Sequence, residues 1–191
     1  MMMTYSGWKK REHENMEDVS MTENKNTKDN YLVKMAQLTI LDSLDKAPGE
    51  DTLEGRIGPL LSGIKGSTHY IVMPADMYCE AHTHPTESII FTVKGQWVLL
   101  SEGQRHLMKE GSLFFMPPTV ETGYEVPFDK PAMLLIIKFE GPSNPEEFLT
   151  YLKGLKQRLE YRRNRGEAFH ISDLPLDHPA RVFAKKLNAE C

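Results

Sequence analysis

The sequence contains few cysteines, no long apolar run and little net charge. Its two cysteines, Cys79 in an apolar stretch and Cys191 at the last position, do not look like a disulfide framework, so we expect a reducing, cytoplasmic environment. No apolar run approaches the roughly 20 residues of a membrane-spanning helix. Residues 1–10 show no apolar core of a secretory signal. We therefore expect neither a membrane protein nor a disulfide-rich secreted domain.

The charge balance gives no reason to expect nucleic acid or a membrane as partner. The 23 Lys and Arg residues nearly balance the 27 Asp and Glu residues, for a formal net charge of −4. Basic residues do cluster within 153–165, where they alternate with Leu and Tyr at helical spacing. We interpret this segment as a solvated helix face.

Composition divides the chain into three parts. Residues 1–30 are polar and charged and hold too little apolar surface to offset the entropy of ordering, so we expect a disordered or loosely attached arm. Residues 31–141 are predicted to form a β-barrel. Its first apolar segment, at 31–44, suits a strand better than a short helix. Residues 142–191 are predicted to form a helical extension.

Short β-rich runs separated by turn signals fill the region from Ile57 to Glu140. Strands of this length and spacing are typical of an antiparallel sandwich or barrel, and not of βαβ units. The runs Ser88–Val93 and Met133–Phe139 are apolar on both faces. One face can fill the interior, and the other needs cover from a helix or a second subunit. We expect a homodimer as the simplest cover.

The β pattern gives way to helical periodicity beyond the barrel. Asn144 is suited to be an N-cap, and Glu147 stands three residues later, as in a capping box. An apolar stripe at helical spacing follows, and Gly166 marks its end. The stripe consists of Phe148, Leu152, Leu155 and Leu159. A second helix is predicted over residues 179–188.

The strongest chemical signal is the pair His82 and His84 in the segment Ala81–Glu87. Residues i and i+2 of a strand point to the same face, so the two imidazoles are expected to lie side by side. Neutral imidazoles in this arrangement can chelate one metal ion. Partly exposed strand histidines with no ligand are the alternative.

This motif and the block that follows it resemble the cupin superfamily. In that family, a first block with His-x-His, an acidic residue or Gln, and Gly precedes a second block. The second runs from Gly through an apolar strand to Pro and ends with His. Here Gly95 closes the first block, and the second runs from Gly111 through Pro117 to Gly123. The resemblance covers Gly66 to Glu140 and implies an all-β double-stranded β-helix (jelly-roll) barrel, with the C-terminal helices as an extension.

The metal-ligand set that the resemblance implies is incomplete. Ser88 stands in the place of the acidic ligand and Thr122 in that of the last His, with Glu87 and Glu121 beside them. A one-residue bulge would turn Glu87 inward, and Glu121 would replace the last His, giving a site for a divalent transition metal such as Fe, Mn, Zn or Ni. The predicted metal ligands are then His82, His84, Glu87 and Glu121. Otherwise the site holds no ion, and the two histidines bind a ligand directly or have no role.

Other candidates are better explained by structure than by function. His69 is expected to be a hydrogen-bonded barrel histidine, and His106 is expected to face solvent. Cys79 is expected to be a buried, inert thiol. Several large side chains are suited to fill a barrel interior. They are Tyr78, Trp97, Phe114 and Met116.

Three functions are compatible with these features. The first is a metal-dependent dioxygenase or isomerase that acts on a small molecule, with the ion as Lewis acid or oxygen activator. The second is a binding module that senses a small molecule without converting it. The third is a structural oligomer with a relict pocket. The fold does not decide among them, because this architecture supports many unrelated functions.

Overall fold

The computed structural model describes residues 32–34, 37–140 and 144–189, so the predicted arm at 1–30 lies outside the described residues. The strands are β1 (Leu32–Lys34), β2 (Thr39–Leu41), β3 (Glu50–Thr52), β4 (Gly55–Ser62), β5 (Gly66–Met73), β6 (Tyr78–His82), β7 (Ser88–Lys94), β8 (Gln96–Ser101), β9 (Gln104–Lys109), β10 (Leu113–Met116), β11 (Thr122–Glu125) and β12 (Ala132–Phe139). The helices are α1 (Pro145–Asn164) and α2 (Pro179–Ala189), and 3-10 turns occupy Leu44–Lys46 and Ile171–Asp173.

Two antiparallel sheets form the jelly-roll barrel. The first has the strand order β10-β7-β12-β5-β4-β3, and the second has the order β6-β11-β8-β9. The strands β1 and β2 pair separately as a hairpin. Neighbours within the large sheets are often distant in sequence, as β7 and β12 are, which is typical of a jelly roll and not of a meander. The predicted all-β barrel with C-terminal helices is confirmed.

The core of the barrel is centred on Trp97, which has no solvent exposure. Its indole stacks on the Tyr124 ring at a centroid distance of 5.3 Å, and the Phe114 ring lies 5.8 Å away. The indole Nε1–H donates to the Thr92 hydroxyl at 2.9 Å, so the polar atom of this buried ring is paired. Phe114 and Met116 pack in the same core, as expected for barrel-filling residues.

Tyr78, which the sequence suggests as a filler of the interior, packs outside the barrel instead. Successive side chains of a strand point to opposite faces, and on β6 the inward position belongs to Cys79. Tyr78 joins a second apolar cluster that attaches the C-terminal region to the barrel. The other buried members are Ile171, Leu174 and Ala180. The His178 ring meets Tyr78 edge-on at 5.5 Å.

The segment from Leu41 to Ala47 covers part of the outer face of the first sheet. This cluster consists of Leu41, Leu44, Ala47, Leu60, Tyr70, Val72, Met133 and Leu135. The Tyr70 hydroxyl lies 3.3 Å from the carbonyl oxygens of Ala47 and Pro48. Gly58 permits this approach, because a Cβ there would lie 1.9 Å from the Pro48 carbonyl oxygen. Part of the cover that the apolar strands need therefore comes from the same chain.

Helix α1 packs against β3 and β4. Asn144 caps it, since its Oδ1 accepts the Glu146 N–H at 2.9 Å. Gly166 follows the end of the helix with a φ of +93°, in the left-handed region that favours glycine. Leu152 and Leu159 of the predicted apolar stripe are buried. No described helix is long and apolar enough to cross a membrane.

A buried ion pair joins β9 and β11 in the second sheet. The Glu125 side chain is 1% exposed and the Arg105 side chain 12%. The Arg105 Nε lies 3.1 Å from both carboxylate oxygens, and its Nη2 lies 2.9 Å from Oε1. This two-pronged contact neutralises a charge that would otherwise be buried without a partner.

Candidate functional site

A cavity of about 490 Å³ is lined by strands of both sheets and by helix α1. Most of its wall is apolar. The aliphatic and thioether part is formed by Ile57, Ile71, Met73, Met77, Ile136, Leu152 and Leu155. The last two come from the apolar stripe of α1, so the predicted helical extension is part of the site.

His82 and His84 lie together on the cavity wall. Their ring centroids are 4.7 Å apart, and the rings meet at 62°. The Nδ1 of His82 lies 2.9 Å from the Glu80 carbonyl oxygen. When Nδ1 carries the proton and donates it to this carbonyl, Nε2 is left with a free lone pair. The structure thus brings together the two histidines that the sequence singles out.

The two predicted acidic ligands are not among the residues that line the cavity. Glu87 precedes β7, and its carbonyl oxygen accepts the Phe139 N–H. Glu121 is exposed, and its carbonyl oxygen accepts the Ser101 hydroxyl at 3.0 Å. Within the described residues, no three His, Cys, Asp or Glu side chains are grouped so as to hold a metal ion.

Small hydroxyl residues occupy the two positions where the cupin pattern has an acidic ligand and a histidine. Ser88 is fully buried on β7, and among the described residues its Oγ has no hydrogen-bond partner. The Thr122 hydroxyl lies 3.4 Å from the Met116 Sδ. The Thr86 Oγ1, on the cavity wall, is likewise buried without a partner in the described part of the chain.

His69, for which the sequence favours a structural role, also lines the cavity. Its ring packs on Phe148 of α1, at a centroid distance of 5.0 Å. Burial, with the nearby Lys138 and His84, lowers the pKa of His69 to about 3. Burial, with His82 and Lys138, lowers the pKa of His84 to about 4. Both imidazoles are therefore neutral at pH 7.

Lys138 is a cavity residue that the sequence analysis did not single out. It lies on β12 two positions after Ile136, and both side chains line the cavity. Burial lowers the pKa of Lys138. The available signal was a single charged residue within the apolar run Met133–Phe139, at a position that shares the inward face of the strand.

Cys79 lies on the cavity wall beside an acidic side chain. Its Sγ is 3.5 Å from the Glu54 Oε1 and 3.7 Å from the His82 Nδ1. Burial raises the pKa of the Cys79 thiol well above its usual value, and Glu54 raises it further. Burial likewise raises the pKa of Tyr124 to about 12. Both groups therefore stay protonated at neutral pH, as expected for an inert thiol.

A family model described as an AraC-like ligand binding domain matches residues 65–171. The match covers more than half of the chain and includes β5 to β12 and all of α1. The chain belongs to this family. No curated protein sequence matches this chain.

Solved cupin structures resemble the AraC-like domain. One is an RmlC-like cupin from Shewanella frigidimarina NCIMB 400, with 19% identity over 56% of this chain and 92% of the other, at a TM-score of 0.47. Another is a Cupin 2 conserved barrel domain protein from Salinispora arenicola CNS-205, with 17% identity over 63% and 94%, at a TM-score of 0.46.

The DMSP lyase DddQ from Ruegeria pomeroyi DSS-3 matches a shorter part of this chain than the two cupins do. It is 25% identical over 43% of this chain, with a TM-score of 0.39. The match spans 42% of the lyase chain.

Proposed function

We propose that this AraC-like domain binds a small molecule with an apolar body and one polar end inside the barrel. The observation that carries this proposal is the cavity of about 490 Å³, whose mainly apolar wall also presents the imidazoles of His69, His82 and His84. Cavities of this size, with a few polar groups on an apolar wall, are typical of small-molecule sites. Membership in a ligand-binding family supports the same function.

The two kinds of lining residue have different roles in this proposal. Apolar contact supplies most of the affinity, because each Å² of apolar surface removed from water contributes about 25 cal/mol. Neutral imidazoles each offer one N–H donor and one acceptor, which orient the polar end of the ligand. Helix α1 closes the apolar part of the site through Leu152 and Leu155.

A neutral amphipathic probe tests this function. We expect octan-1-ol to bind with saturation and a stoichiometry of one per chain, measured by isothermal titration calorimetry. Leu155→Trp, which places an indole in the cavity, is expected to weaken this binding at least about tenfold, equivalent to about 1.4 kcal/mol. The matched control is Tyr161→Trp, because Tyr161 is 61% exposed on the same helix and does not line the cavity. Absence of saturable binding, or equal binding to both variants, would contradict the proposal.

A metal ion held by His82 and His84 is the second candidate, because their rings are adjacent and the Glu80 carbonyl is placed to orient one of them. When bound, such an ion would supply Lewis acidity or oxygen activation for a dioxygenase or isomerase. The residues at the cavity fit it poorly. His82 and His84 are two ligands, fewer than the three protein ligands typical of catalytic zinc sites, and within the described residues no third His, Cys, Asp or Glu is grouped with them to hold an ion. The nearby Lys138 ammonium also repels a cation.

Elemental analysis decides whether this second candidate holds. If His82 and His84 hold a metal ion, the purified protein should contain about one Fe, Mn, Zn or Ni per chain. The double variant His82→Ala/His84→Ala should then contain none. The variant His106→Ala is the control, because His106 is an exposed histidine on β9. Wild-type protein that stays metal-free after incubation with all four ions would rule the metal site out.

The homodimer remains a proposal, and an exposed apolar patch supports it. Leu113 and Phe115 on the edge strand β10 are 62% and 57% exposed. They pair directly with Phe91 and Ile89 of β7, so the four side chains share the outer face of the first sheet. A second copy of this chain would cover this patch.

Sedimentation velocity tests the dimer. We expect the double variant Leu113→Glu/Phe115→Glu to be monomeric where the wild type is dimeric, because dimerisation would bury the two new charges. Leu176→Glu changes a residue that is 67% exposed outside the patch and should leave the dimer intact. A wild type that sediments as a monomer at all concentrations would refute the dimer.

A cytoplasmic location also remains a prediction. The buried, free thiol of Cys79 is consistent with a reducing compartment.

A further inference from the structure

The cavity wall carries one cationic side chain whose charge is poorly hydrated. Lys138 is half-buried on the inner face of β12. Among the described residues, no carboxylate lies within ion-pair distance of its ammonium group. Burial without a counter-ion lowers the pKa of Lys138. An anion placed beside this group would relieve the cost of its burial.

Hydrogen-bond donors accompany the ammonium group. On the paired strands β12 and β5, Lys138 is opposite Ser67 and Ile136 is opposite His69, and Lys138, His69 and His84 all line the cavity. Each neutral ring presents one N–H donor. The Thr86 hydroxyl lines the same cavity and is buried without a partner in the described part of the protein. One charge and several neutral donors therefore line the same cavity.

Three carboxylates also line the cavity, and they set the charge that a ligand can carry. Glu140 and Glu147 are exposed, so water screens their charges. The Glu54 carboxylate lies beside Cys79, with its Oε1 3.5 Å from the thiol. These groups disfavour a dianion. The Lys138 ammonium can neutralise one negative charge on a ligand.

We propose that the ligand of this cavity is an amphipathic monocarboxylate, whose carboxylate is held by the Lys138 ammonium with donors from His84 and Thr86, and whose apolar body lies against the aliphatic wall beneath α1. This inference rests on the proposed function and adds the chemical class of the ligand. An alcohol of the same length would leave the Lys138 charge unpaired. An amine would place two positive charges together.

Three ligands that differ only in the end group test the proposal. Octanoate, octan-1-ol and octylamine are titrated into the full chain at pH 7 by calorimetry. Wild-type protein is expected to bind octanoate about 10- to 100-fold more tightly than octan-1-ol, equivalent to about 1.4 to 2.8 kcal/mol, because a hydrogen bond between charged groups is stronger than one between neutral groups. Octylamine is expected to bind least tightly.

The variant Lys138→Met removes the charge and keeps the length of the side chain. It should abolish the preference for octanoate while leaving the affinity for octan-1-ol within about threefold of wild type. Lys130→Met is the matched control, because Lys130 is exposed and does not line the cavity. If Lys138→Met does not fold by circular dichroism, Lys138→Gln provides the same test.

The outcomes separate this inference from the function on which it rests. Binding of octan-1-ol without a preference for octanoate would overturn the carboxylate proposal and leave the binding function in place. Tighter binding of octylamine, or an unchanged octanoate preference in Lys138→Met, would also overturn it. If neither octan-1-ol nor octanoate binds, the proposed function fails and the ligand class fails with it.

Discussion

Replacing Arg105 with methionine is expected to lower the free energy of unfolding by about 3 to 5 kcal/mol. The variant leaves the Glu125 carboxylate, which is 1% exposed, without the guanidinium that contacts both of its oxygens. A buried charge that loses its partner costs much more than the net contribution of the intact pair. Urea unfolding followed by circular dichroism at pH 7 measures the effect.

Two controls identify the cause of this loss. The double variant Arg105→Met/Glu125→Met removes both charges and should recover most of the lost stability, because an apolar pair of similar volume can replace a buried ion pair. Arg56→Met breaks a pair with Asp51 whose side chains are 44% and 77% exposed, and should cost less than about 1 kcal/mol. If the double variant is as unstable as Arg105→Met, lost packing and not the unpaired charge is responsible.

Trp97→Ala is expected to destabilise the protein by about 3 to 5 kcal/mol, because it removes the largest fully buried side chain of the barrel. The indole fills the space between Tyr124 and Phe114, and its loss leaves a cavity there. It also leaves the buried Thr92 hydroxyl without its donor. Thermal and urea unfolding both report this change.

A more conservative substitution shows whether lost packing accounts for most of the destabilisation at Trp97. Trp97→Phe keeps an aromatic ring and should cost clearly less than Trp97→Ala. Tyr161→Ala removes an exposed aromatic side chain and should change stability by no more than about 0.5 kcal/mol. A loss below about 1 kcal/mol for Trp97→Ala would contradict a tightly packed core around this residue.

Much of the fold was predictable because local signals set it. Turn residues at short intervals indicate antiparallel strands, and the spacing of Gly95, Gly111 and Pro117 matches the cupin pattern. The cap at Asn144 and the stripe from Phe148 to Leu159 likewise predict α1. These features depend on residues near one another in sequence, so periodicity and turn chemistry reveal them.

The composition of the site was less predictable because it depends on long-range packing. The stripe on α1 indicates an apolar face without indicating what it covers, and the structure places it on the cavity. Lys138 comes 54 residues after His84 in the sequence, and only the pairing of distant strands brings both to one wall. His69 has no neighbour in sequence that marks it as a site residue. Glu87 and Glu121 are next in sequence to the two positions where the cupin pattern has metal ligands. That neighbourhood does not bring them to the cavity, and neither residue lines it.

The outer face of the first sheet also depends on contacts between residues that are distant in sequence. The apolar runs in β7 and β12 predict that both faces need cover. They do not indicate that the segment around Ala47 covers Tyr70 and Leu135. That contact requires the close approach at Gly58, which a single glycine in the sequence does not reveal.

Helix α1 supplies a large share of the cavity wall from outside the barrel. Phe148, Tyr151, Leu152 and Leu155 lie on successive turns of this one helix. Because α1 is not a member of either sheet, substitutions at these positions remove no hydrogen bond between strands. The shape and polarity of the pocket can therefore diversify among descendants of this chain while the β scaffold is conserved. Libraries that randomise these four positions would test whether the selectivity of the proposed ligand site can be changed while the barrel is kept.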